Sequence, residues 1–441
     1  MPKILKKTQY SILSQHPDGL VTLFFTELWE RFSYYGMRAI LVLYLVSEVD
    51  SKNPGLGWSN SEAISLYGWY TALVYIACIP GGIIADKFLT SSKAVLIGGS
   101  LLCLGHLSLA IQDYLFFYLG LILIIVGVGL LKPSISTLVG SLYHQNDVSR
   151  DQGFTIFYIG INIGAFLASL LVGYVGEVLG WHYGFSLAGI GMILGQTFFY
   201  FGRNKFKNSN PQEKKISNLQ KKLDRIEIDR IKLIVISSFI LIIFWASFEQ
   251  AGGLMNIFAF QKTDRFLGLI NFEIPASWFQ SINPLMIIFL GFYVSLFWLF
   301  LENKKIVNSS IVKIAVGIII MGLGFIFMFF AALEYEVYGM SSMYWLLLAY
   351  LFHTLGELCA SPVILSYITK LSPKRLVSSI MGIYFAAIGV GNKLAGSIGQ
   401  YSEKLGEKLI FLGITSVCIS VGLIVILFNK RLSKMSHGID N

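Results

Sequence analysis

The feature that most constrains the fold of this chain is a series of long apolar runs. Of its 441 residues, 55% are hydrophobic and only 13% are charged, whereas a soluble domain is about 25% charged. Runs of about 20 apolar residues match the thickness of a bilayer core, and helices satisfy their own backbone hydrogen bonds in lipid. We predict an all-α membrane protein with twelve transmembrane helices, at residues 20–47, 61–85, 93–112, 114–141, 152–179, 182–202, 231–261, 278–301, 308–334, 342–370, 374–401 and 407–428.

The positions of the basic residues predict how these helices are oriented. With the N-terminus inside the cell, and with basic residues near a span end counted in the adjoining segment, 25 of the 34 lysines and arginines are cytoplasmic, 5 are outside and 4 lie deep within spans. Such an excess on the cytoplasmic side is the rule for membrane proteins, so the net charge of +9 indicates topology rather than nucleic-acid binding. The N-terminal residues lack the apolar core of a cleavable signal peptide. We expect a multi-pass protein of the plasma (inner) membrane with both termini in the cytoplasm.

The longest polar stretch, residues 203–230, divides the spans into two groups of six. We expect a cytoplasmic N-tail, an N-terminal six-helix bundle, a cytoplasmic linker, a C-terminal six-helix bundle and a cytoplasmic C-tail, at residues 1–19, 20–202, 203–230, 231–428 and 429–441. This layout resembles the major facilitator superfamily, in which substrate binds midway between the halves. The loop GGIIADKFLTSSK partly matches the signature of that superfamily: Asp86 and Lys87 fit, and Thr90 replaces a glycine.

Charged residues within the first span indicate a polar cavity. The stretch TELWERFSYYG places Glu27, Glu30 and Arg31 inside an apolar run, where each charge costs about 2.5–3.5 kcal/mol on insertion scales. Their spacing puts them on one helix face, which Tyr34 and Arg38 extend. A purely structural role would need about one ion pair, whereas this face carries two acids, two arginines and a phenol. We expect this face to line a cavity that binds a charged solute.

Other spans carry further ionisable groups. Lys132 either snorkels to the interface or faces the cavity, and we predict that it pairs with Glu249, the lone acid of the seventh span. Glu357 lies near the middle of the tenth span, one turn after His353. We expect His353 to be a hydrogen-bonded core residue, with a proton relay as the alternative. Lys393 either pairs or snorkels, and the sequence suggests no partner for it.

Uncharged polar residues complete the predicted cavity. The amides of Asn162 and Asn283 both donate and accept hydrogen bonds, so each could hold a peptide bond or an amino group; the alternative is a bond between helices. Tyr34, Tyr35 and Tyr70 are expected on interior faces. An arginine fork can grip a carboxylate at two points. A carboxylate paired with a cation in low dielectric can take up a proton when its partner is drawn away.

Nothing in the sequence predicts an enzyme or a metal site. The four cysteines lie inside apolar runs without zinc-ligand spacing, and they are expected to be small buried hydrophobes. The sequence contains no nucleophile–base motif, and the two intramembrane histidines, His106 and His353, lie on separate spans.

Six motifs carry a resemblance to a known family. They are ELWERFSYYG (27–36), GLLKPSISTLVG (129–140), FYIGINIGAF (157–166), FWASFEQ (244–250), SWFQSINPL (277–285) and GELCASPVILSYITKLSP (356–373). At these motifs, in this order, the chain resembles the proton-dependent oligopeptide transporters of the major facilitator superfamily, and the resemblance covers nearly the whole chain. It implies symport of di- and tripeptides with protons by alternating access, with protons as the coupling ion, no other cofactor and a monomer in the bilayer.

The resemblance also implies roles for individual residues. It assigns proton coupling to Glu27, Glu30, Arg31, Lys132 and Glu249. It assigns the peptide carboxylate to Arg31 and Lys132, the peptide amino terminus to Asn162, Asn283 and Glu357, and cavity positions to Tyr34, Tyr35 and Tyr70. We add Arg38 to the substrate-binding candidates because it lies on the same polar face.

Departures from the family pattern leave an alternative function open. Residues 203–230 are too short for the two additional helices of many bacterial members. Tyr384 stands where a tryptophan is common, Phe248 replaces a second acid, and Lys393 replaces a small residue. Lys393 raises the hypothesis of acidic peptides as substrates. The alternative function is a proton-coupled carrier of another anion, such as nitrate; a receptor that binds peptides without uptake is a further possibility, which an uptake assay would distinguish.

Overall fold

The structure is an assembly of long helices. The computed structural model describes residues 16–143, 149–206, 223–304, 306, 309–373 and 376–439. The predicted N-tail and linker therefore lie largely outside the described residues. The α-helices are α1 (Gly19–Val46), α2 (Asn60–Phe88), α3 (Ser91–Leu109), α4 (Tyr114–Ser141), α5 (Ser149–Tyr174), α6 (Trp181–Gly202), α7 (Arg225–Phe248), α8 (Leu254–Lys262), α9 (Ile282–Asn303), α10 (Ser310–Tyr338), α11 (Met343–Leu371), α12 (Val377–Gln400), α13 (Ser402–Leu405) and α14 (Glu407–Met435).

Each of the twelve predicted spans corresponds to one long helix, except the seventh, which is formed by α7 and α8 together; α13 is a short additional helix. Ten segments within the described ranges are long and apolar enough to cross a membrane by length and composition. α1 is not among them, because every 18-residue window within it contains Glu30, Arg31 and at least one of Glu27 and Arg38. α12 is also absent from the ten, so a criterion of hydropathy and charge misses two of the twelve described spans, and one of them is the helix with the densest intramembrane charge.

The seventh span differs from its prediction at both its start and its middle. It begins at Arg225 rather than at residue 231, because Asp224 caps the helix and accepts a hydrogen bond from the backbone of Glu227. A short 3₁₀ helix, Glu249–Ala251, then interrupts it before α8. Two glycines, Gly252 and Gly253, follow, and glycine disfavours a helix interior by about 1 kcal/mol. Glu249 therefore lies directly after the last residue of α7, at the break between α7 and α8.

The helices pack into two groups. In the first, α1 packs against α5 and α6, and α3 packs against α4 and α6; in the second, α10 packs against α11 and α14, and α7 packs against α12. Close helix crossings use small residues, as is common in membrane proteins. At the crossing of α2 and α4, for example, Gly81 faces the backbone carbonyl of Gly129.

The two groups meet closely at one end of the bundle, the end at which α1 finishes and α2 begins. We call it the outer end, after the orientation that the sequence predicts. There α2 packs against α12 with Gly68 against Gly396. Asn256 of α8 donates a hydrogen bond of 2.8 Å to the carbonyl of Ala39 in α1. Trp278, in the 3₁₀ helix Ala276–Ser281 that precedes α9, donates one of 2.9 Å to the carbonyl of Leu170 in α5. These contacts close the bundle at its outer end.

Short strands lie in the outer connections. β1 (Thr263–Asp264) pairs in parallel with β4 (Ser341–Ser342), and β2 (Phe266–Leu267) pairs antiparallel with β3 (Phe272–Glu273).

Two adjacent glycines test the packing of α2 against α4. A Cβ atom at Gly81 would lie 2.1 Å from the carbonyl oxygen of Gly129, whereas one at Gly82 would lie 3.8 Å from its nearest neighbour, Pro133. We expect Gly81→Ala to destabilise the detergent-solubilised protein by about 1–3 kcal/mol, the usual cost of overpacking, and Gly82→Ala to leave it unchanged. Thermal unfolding measures both, and equal midpoints for the two variants would contradict this packing.

Candidate functional site

A cavity of about 200 Å³ lies between the two groups of helices. Its wall comes from α1, α2, α5, α7, the 3₁₀ helix before α9, α9 itself and α11. The polar and aromatic side chains that line it are Tyr35, Arg38, Tyr75, Tyr158, Asn162, Ser169, Trp245, Phe248, Gln280, Asn283, Tyr350, His353, Glu357 and Ser361.

The charged cluster at the start of α1 lies behind this cavity rather than on its wall. Arg31 Nε is 3.0 Å from Glu27 Oε1 and also contacts the carboxylate of Glu30. All three side chains are buried. Their spacing of three and four residues brings them together on one helix face, as predicted. One arginine with two carboxylates leaves this cluster with a formal charge of −1 when both acids are ionised.

Arg38, further along α1, pairs across the two groups of helices. Its Nη1 lies 2.9 Å from Oε1 of Glu249, and the hydroxyl of Tyr67 donates a hydrogen bond of 2.5 Å to the same oxygen. The predicted partner of Glu249 was Lys132, and this structure shows Arg38 in that position instead. Arg38 lies seven residues, or about two turns, beyond Arg31 on the same face of α1. The helix break at Glu249 presents the carboxylate to it.

Lys132 packs against an aromatic ring. Its Nζ lies 3.9 Å from the ring centroid of Tyr75, a favourable cation–π arrangement. In the described part of the chain, no carboxylate lies within 4.0 Å of this ammonium group. Tyr75 itself lines the cavity, so Lys132 is separated from the cavity by one side chain.

The opposite wall carries an acid that is paired only with neutral groups. Asn283 Nδ2 donates hydrogen bonds to Glu357 Oε2 at 2.7 Å and to Thr354 Oγ1 at 3.1 Å. Asn283 belongs to α9 and Glu357 to α11, so the amide links the two helices at the cavity. Asn162, on α5, donates to the carbonyl of Tyr158 one turn earlier at 3.0 Å.

The structure places the predicted binding residues in two layers. Five of them line the cavity: Tyr35, Arg38, Asn162, Asn283 and Glu357. The other four, Arg31, Tyr34, Tyr70 and Lys132, lie in the layer behind it, where Tyr34 and Tyr70 stack with their ring centroids 6.5 Å apart. Of the remaining predicted proton-coupling residues, Glu27 and Glu30 lie in that rear layer with Arg31, and Glu249 is buried against Arg38.

Several residues that line the cavity were not predicted from the sequence, although their helical spacing from predicted residues indicates them. Tyr158 precedes Asn162 by four residues, Gln280 precedes Asn283 by three, and Tyr350 precedes Glu357 by seven. Each pair lies on one face of its helix. Trp245 precedes Glu249 by four residues in the same way, whereas Tyr75 carried no such signal.

His353 differs from its expected role as a hydrogen-bonded core residue, and Lys393 does not face the cavity. His353 lines the cavity with its ring 4.4 Å from that of Phe325, and neither ring nitrogen has a hydrogen-bond partner among the described residues. Lys393 lies away from the cavity: its Nζ is 4.7 Å from the ring of Trp69, which is 51% exposed on the outside of the bundle. The hypothesis that Lys393 selects acidic substrates therefore has no support from its position.

The cavity as a whole is electrically polarised. Among the side chains that reach the wall, the guanidinium of Arg38 lines one side, which we call the cationic side, and the carboxylate of Glu357 lines the other. Arg38 is itself paired with Glu249, and the charges of Arg31 and Lys132 behind it are balanced by those of Glu27 and Glu30. Such a site suits a solute with a negative end and a positive end. No group of three or more potential metal-ligating side chains is found among the residues that the structure describes.

Comparison with known proteins identifies the family. A model of the POT family (PTR2) matches residues 92–237 and 218–417. The transporter YclF of Bacillus subtilis (strain 168), named as uncharacterized, is 35% identical over 491 residues, covering 99% of this chain and 98% of that protein. A di-/tripeptide transporter of Lactococcus lactis subsp. cremoris is 34% identical, with 98% of each protein covered. The peptide transporter YePEPT of Yersinia enterocolitica is also 34% identical, with 96% of each covered.

Solved structures agree in fold. A crystal structure of the peptide transporter POT in complex with sulfate has a TM-score of 0.87 at 32% identity and covers 97% of both chains. A POT family transporter in complex with 5-aminolevulinic acid has a TM-score of 0.87 at 29% identity, covering 96% of this chain and 98% of that one. The fold is therefore that of the major facilitator superfamily. This chain is a membrane transporter, not an enzyme, and it belongs to the POT family.

Proposed function

We propose that this protein imports di- and tripeptides together with protons by alternating access. The observation that carries the proposal is the polarised cavity, with Arg38 on one wall and Glu357 on the other. A peptide is a zwitterion, with one negative end and one positive end to meet these two side chains. Relatives at 34% identity over nearly the full chain are named as di-/tripeptide or peptide transporters, which supports the same substrate class.

In this proposal the peptide is held at its two ends. Its carboxylate is held by the cationic side of the cavity, formed by Arg38 with Arg31 and Lys132 behind it, and Tyr34, Tyr35 and Tyr70 shape that side. Its amino terminus meets Glu357, and the amides of Asn162 and Asn283 complete the opposite side. Charged groups in a site of low dielectric interact more strongly than they do in water, so two such contacts orient the solute.

Proton coupling is proposed to work through the ion pairs. Arg38 and Glu249 belong to opposite groups of helices and hold the outer end closed. A proton on Glu249 removes the negative charge that attracts Arg38, which weakens this closure and frees Arg38 for the peptide carboxylate. Glu27, Glu30, Arg31 and Lys132 are the further candidates for carrying the proton across.

The topology is proposed along with the function. The six-helix bundles 20–202 and 231–428 rock against each other, as in transporters of this architecture, with the linker 203–230 and both tails in the cytoplasm. The excess of basic residues in these segments supports that orientation. We further propose a monomer of the plasma (inner) membrane that needs no cofactor apart from protons.

Uptake of labelled dialanine into proteoliposomes tests the function directly. With an inward proton gradient we expect accumulation above equilibrium, blocked by unlabelled tripeptides and unaffected by nitrate. Without the gradient we expect only equilibration. Gradient-driven movement of nitrate or another anion, with no movement of dialanine, would overturn the proposal in favour of the alternative carrier. Binding of dialanine without uptake would indicate a receptor.

Glu357→Gln tests recognition of the amino terminus. Removing the negative charge should weaken binding of dialanine about 10- to 100-fold, because a hydrogen bond to a charged group contributes about 1.5–3 kcal/mol. N-acetylated dialanine has no charged amine and should lose little. Glu302→Gln is the matched control, since Glu302 pairs with Lys313 away from this cavity. Equal losses for the free and acetylated peptides would contradict the role of Glu357.

Lys132→Ala tests coupling. We expect this variant to lose accumulation of dialanine against its gradient, because the change removes the lysine that lies directly behind Tyr75 on the cationic side of the cavity. Lys393→Ala, which removes another intramembrane lysine but one outside the cavity, should accumulate peptide as the parent does. The measurement is the ratio of internal to external peptide under a proton gradient. A parental ratio in Lys132→Ala would rule out its role.

A further inference from the structure

A carboxylate at the outer end of α5 contacts the opposite group of helices. Glu177 lies in a π-helical turn, Val175–Leu179, that continues α5. Its Oε2 accepts a hydrogen bond of 2.8 Å from the backbone N–H of Ala276. Its Oε1 accepts one of 2.8 Å from the backbone N–H of Ser277 and one of 2.5 Å from the hydroxyl of Ser277. Both oxygens are thus used on the first two residues of the 3₁₀ helix Ala276–Ser281.

The position of Glu177 is fixed by its own group of helices. Asn53, in the connection between α1 and α2, donates hydrogen bonds to the carbonyls of Gly176 at 2.8 Å and Glu177 at 3.1 Å. The side-chain oxygen of Asn53 accepts from the backbone N–H of Trp181, at the start of α6. The carboxylate is therefore presented from a rigid, hydrogen-bonded turn.

The close approach of the two groups at this point depends on a glycine. A Cβ atom at Gly173, on α5, would lie 2.1 Å from Oγ of Ser277. A larger residue at this position would displace the side chain of Ser277, whose Cβ would also lie 2.9 Å away, and would disturb its contact with Glu177. The absence of a side chain at Gly173 therefore leaves room for the contact between Glu177 and the 3₁₀ helix.

The chemistry of the contact makes it strong. The first N–H groups of a helix have no partner within the helix and carry partial positive charge. Hydrogen bonds from such donors to a carboxylate are roughly twice as strong as those between neutral groups. The contact is also at the outer end, beside the hydrogen bond from Trp278 to Leu170.

We propose that Glu177 is a latch that holds the outer end of the transporter closed. Opening that end separates α5 from the start of α9 and breaks all three hydrogen bonds together. The 3₁₀ helix runs directly into α9, so the latch also sets the position of Gln280 and Asn283 at the cavity. This inference rests on the alternating access of the proposed function, and it does not depend on which solute is carried.

Labelling of a cysteine beneath the closure tests the latch. Ser169 lies on α5 two turns before Glu177 and lines the cavity. In a variant with its four native cysteines replaced by serine, Ser169→Cys is exposed in intact cells to a membrane-impermeant maleimide. We expect Glu177→Gln to raise the labelling rate on the order of tenfold, the factor that corresponds to about 1.4 kcal/mol. The glutamine side chain of this variant has one neutral acceptor oxygen, whereas the carboxylate of Glu177 has two oxygens that share a negative charge.

Glu62→Gln is the matched control. Glu62 also accepts a backbone hydrogen bond at the outer end, from Ser59 at 3.1 Å, but within α2 and its own group of helices. We expect it to label at the parental rate. Ser277→Ala should raise the labelling rate less than Glu177→Gln does, because the two backbone hydrogen bonds to Glu177 remain. If the Glu177→Gln protein is not expressed in the membrane, Ser277→Ala provides the test of the latch instead.

Two results would overturn the latch. One is parental labelling in both Glu177→Gln and Ser277→Ala while Gly173→Val raises labelling, since the helices would then close the outer end without the carboxylate. The other is an equal rise in Glu62→Gln, which would indicate general loosening of the outer connections. Labelling needs no peptide, so a failure of peptide uptake would leave this readout intact and bear only on the proposed substrate.

Discussion

The cost of placing charge inside a bilayer is the constraint on which the rest of this structure depends. Of the charged side chains deep within the predicted spans, several are neutralised locally: Arg31 by two glutamates of its own helix, and Arg38 by Glu249. Lys132 and Glu357 are the informative exceptions. Within the described residues, the first is covered by an aromatic ring and the second by an amide, each a neutral partner. They lie on opposite sides of the same cavity, where a zwitterionic solute would supply the two missing charges.

The contacts that close the outer end are polar and cross between the two groups of helices. The ion pair of Arg38 with Glu249, the amide of Asn256 on a carbonyl of α1, and Glu177 on the 3₁₀ helix all have this form. Buried polar contacts hold only while their geometry is satisfied, so a closure built from them is a discrete state. Because Arg38 and α9 also shape the cavity, closure of the outer end and binding of a solute share the same structural elements.

Much of this architecture could be predicted from the sequence, and the exceptions have a common origin. The contact of Arg31 with Glu27 and Glu30 followed from spacing within one helix, and the structure shows it; Arg38, on the same stripe, pairs with Glu249 of the opposite group instead. The partner of Glu249 was predicted wrongly, since the choice between Arg38 and Lys132 depends on the depth and rotation of three separate helices. The break at Gly252 and Gly253, which orients Glu249, was also missed, and no pattern within a single span placed Tyr75 at the cavity.

The sequence by itself determined the number of apolar spans, the division into two groups of six and the inventory of charges that must be accommodated. Hydropathy and helical periodicity are properties of neighbouring residues, so they can be read without a fold. Only the tertiary structure decided which charges pair, which of the predicted residues reach the cavity and which lie behind it, and that Glu177 contacts the opposite bundle. Those outcomes depend on how helices distant in sequence cross one another, and a difference of one helical turn exchanges one partner for another.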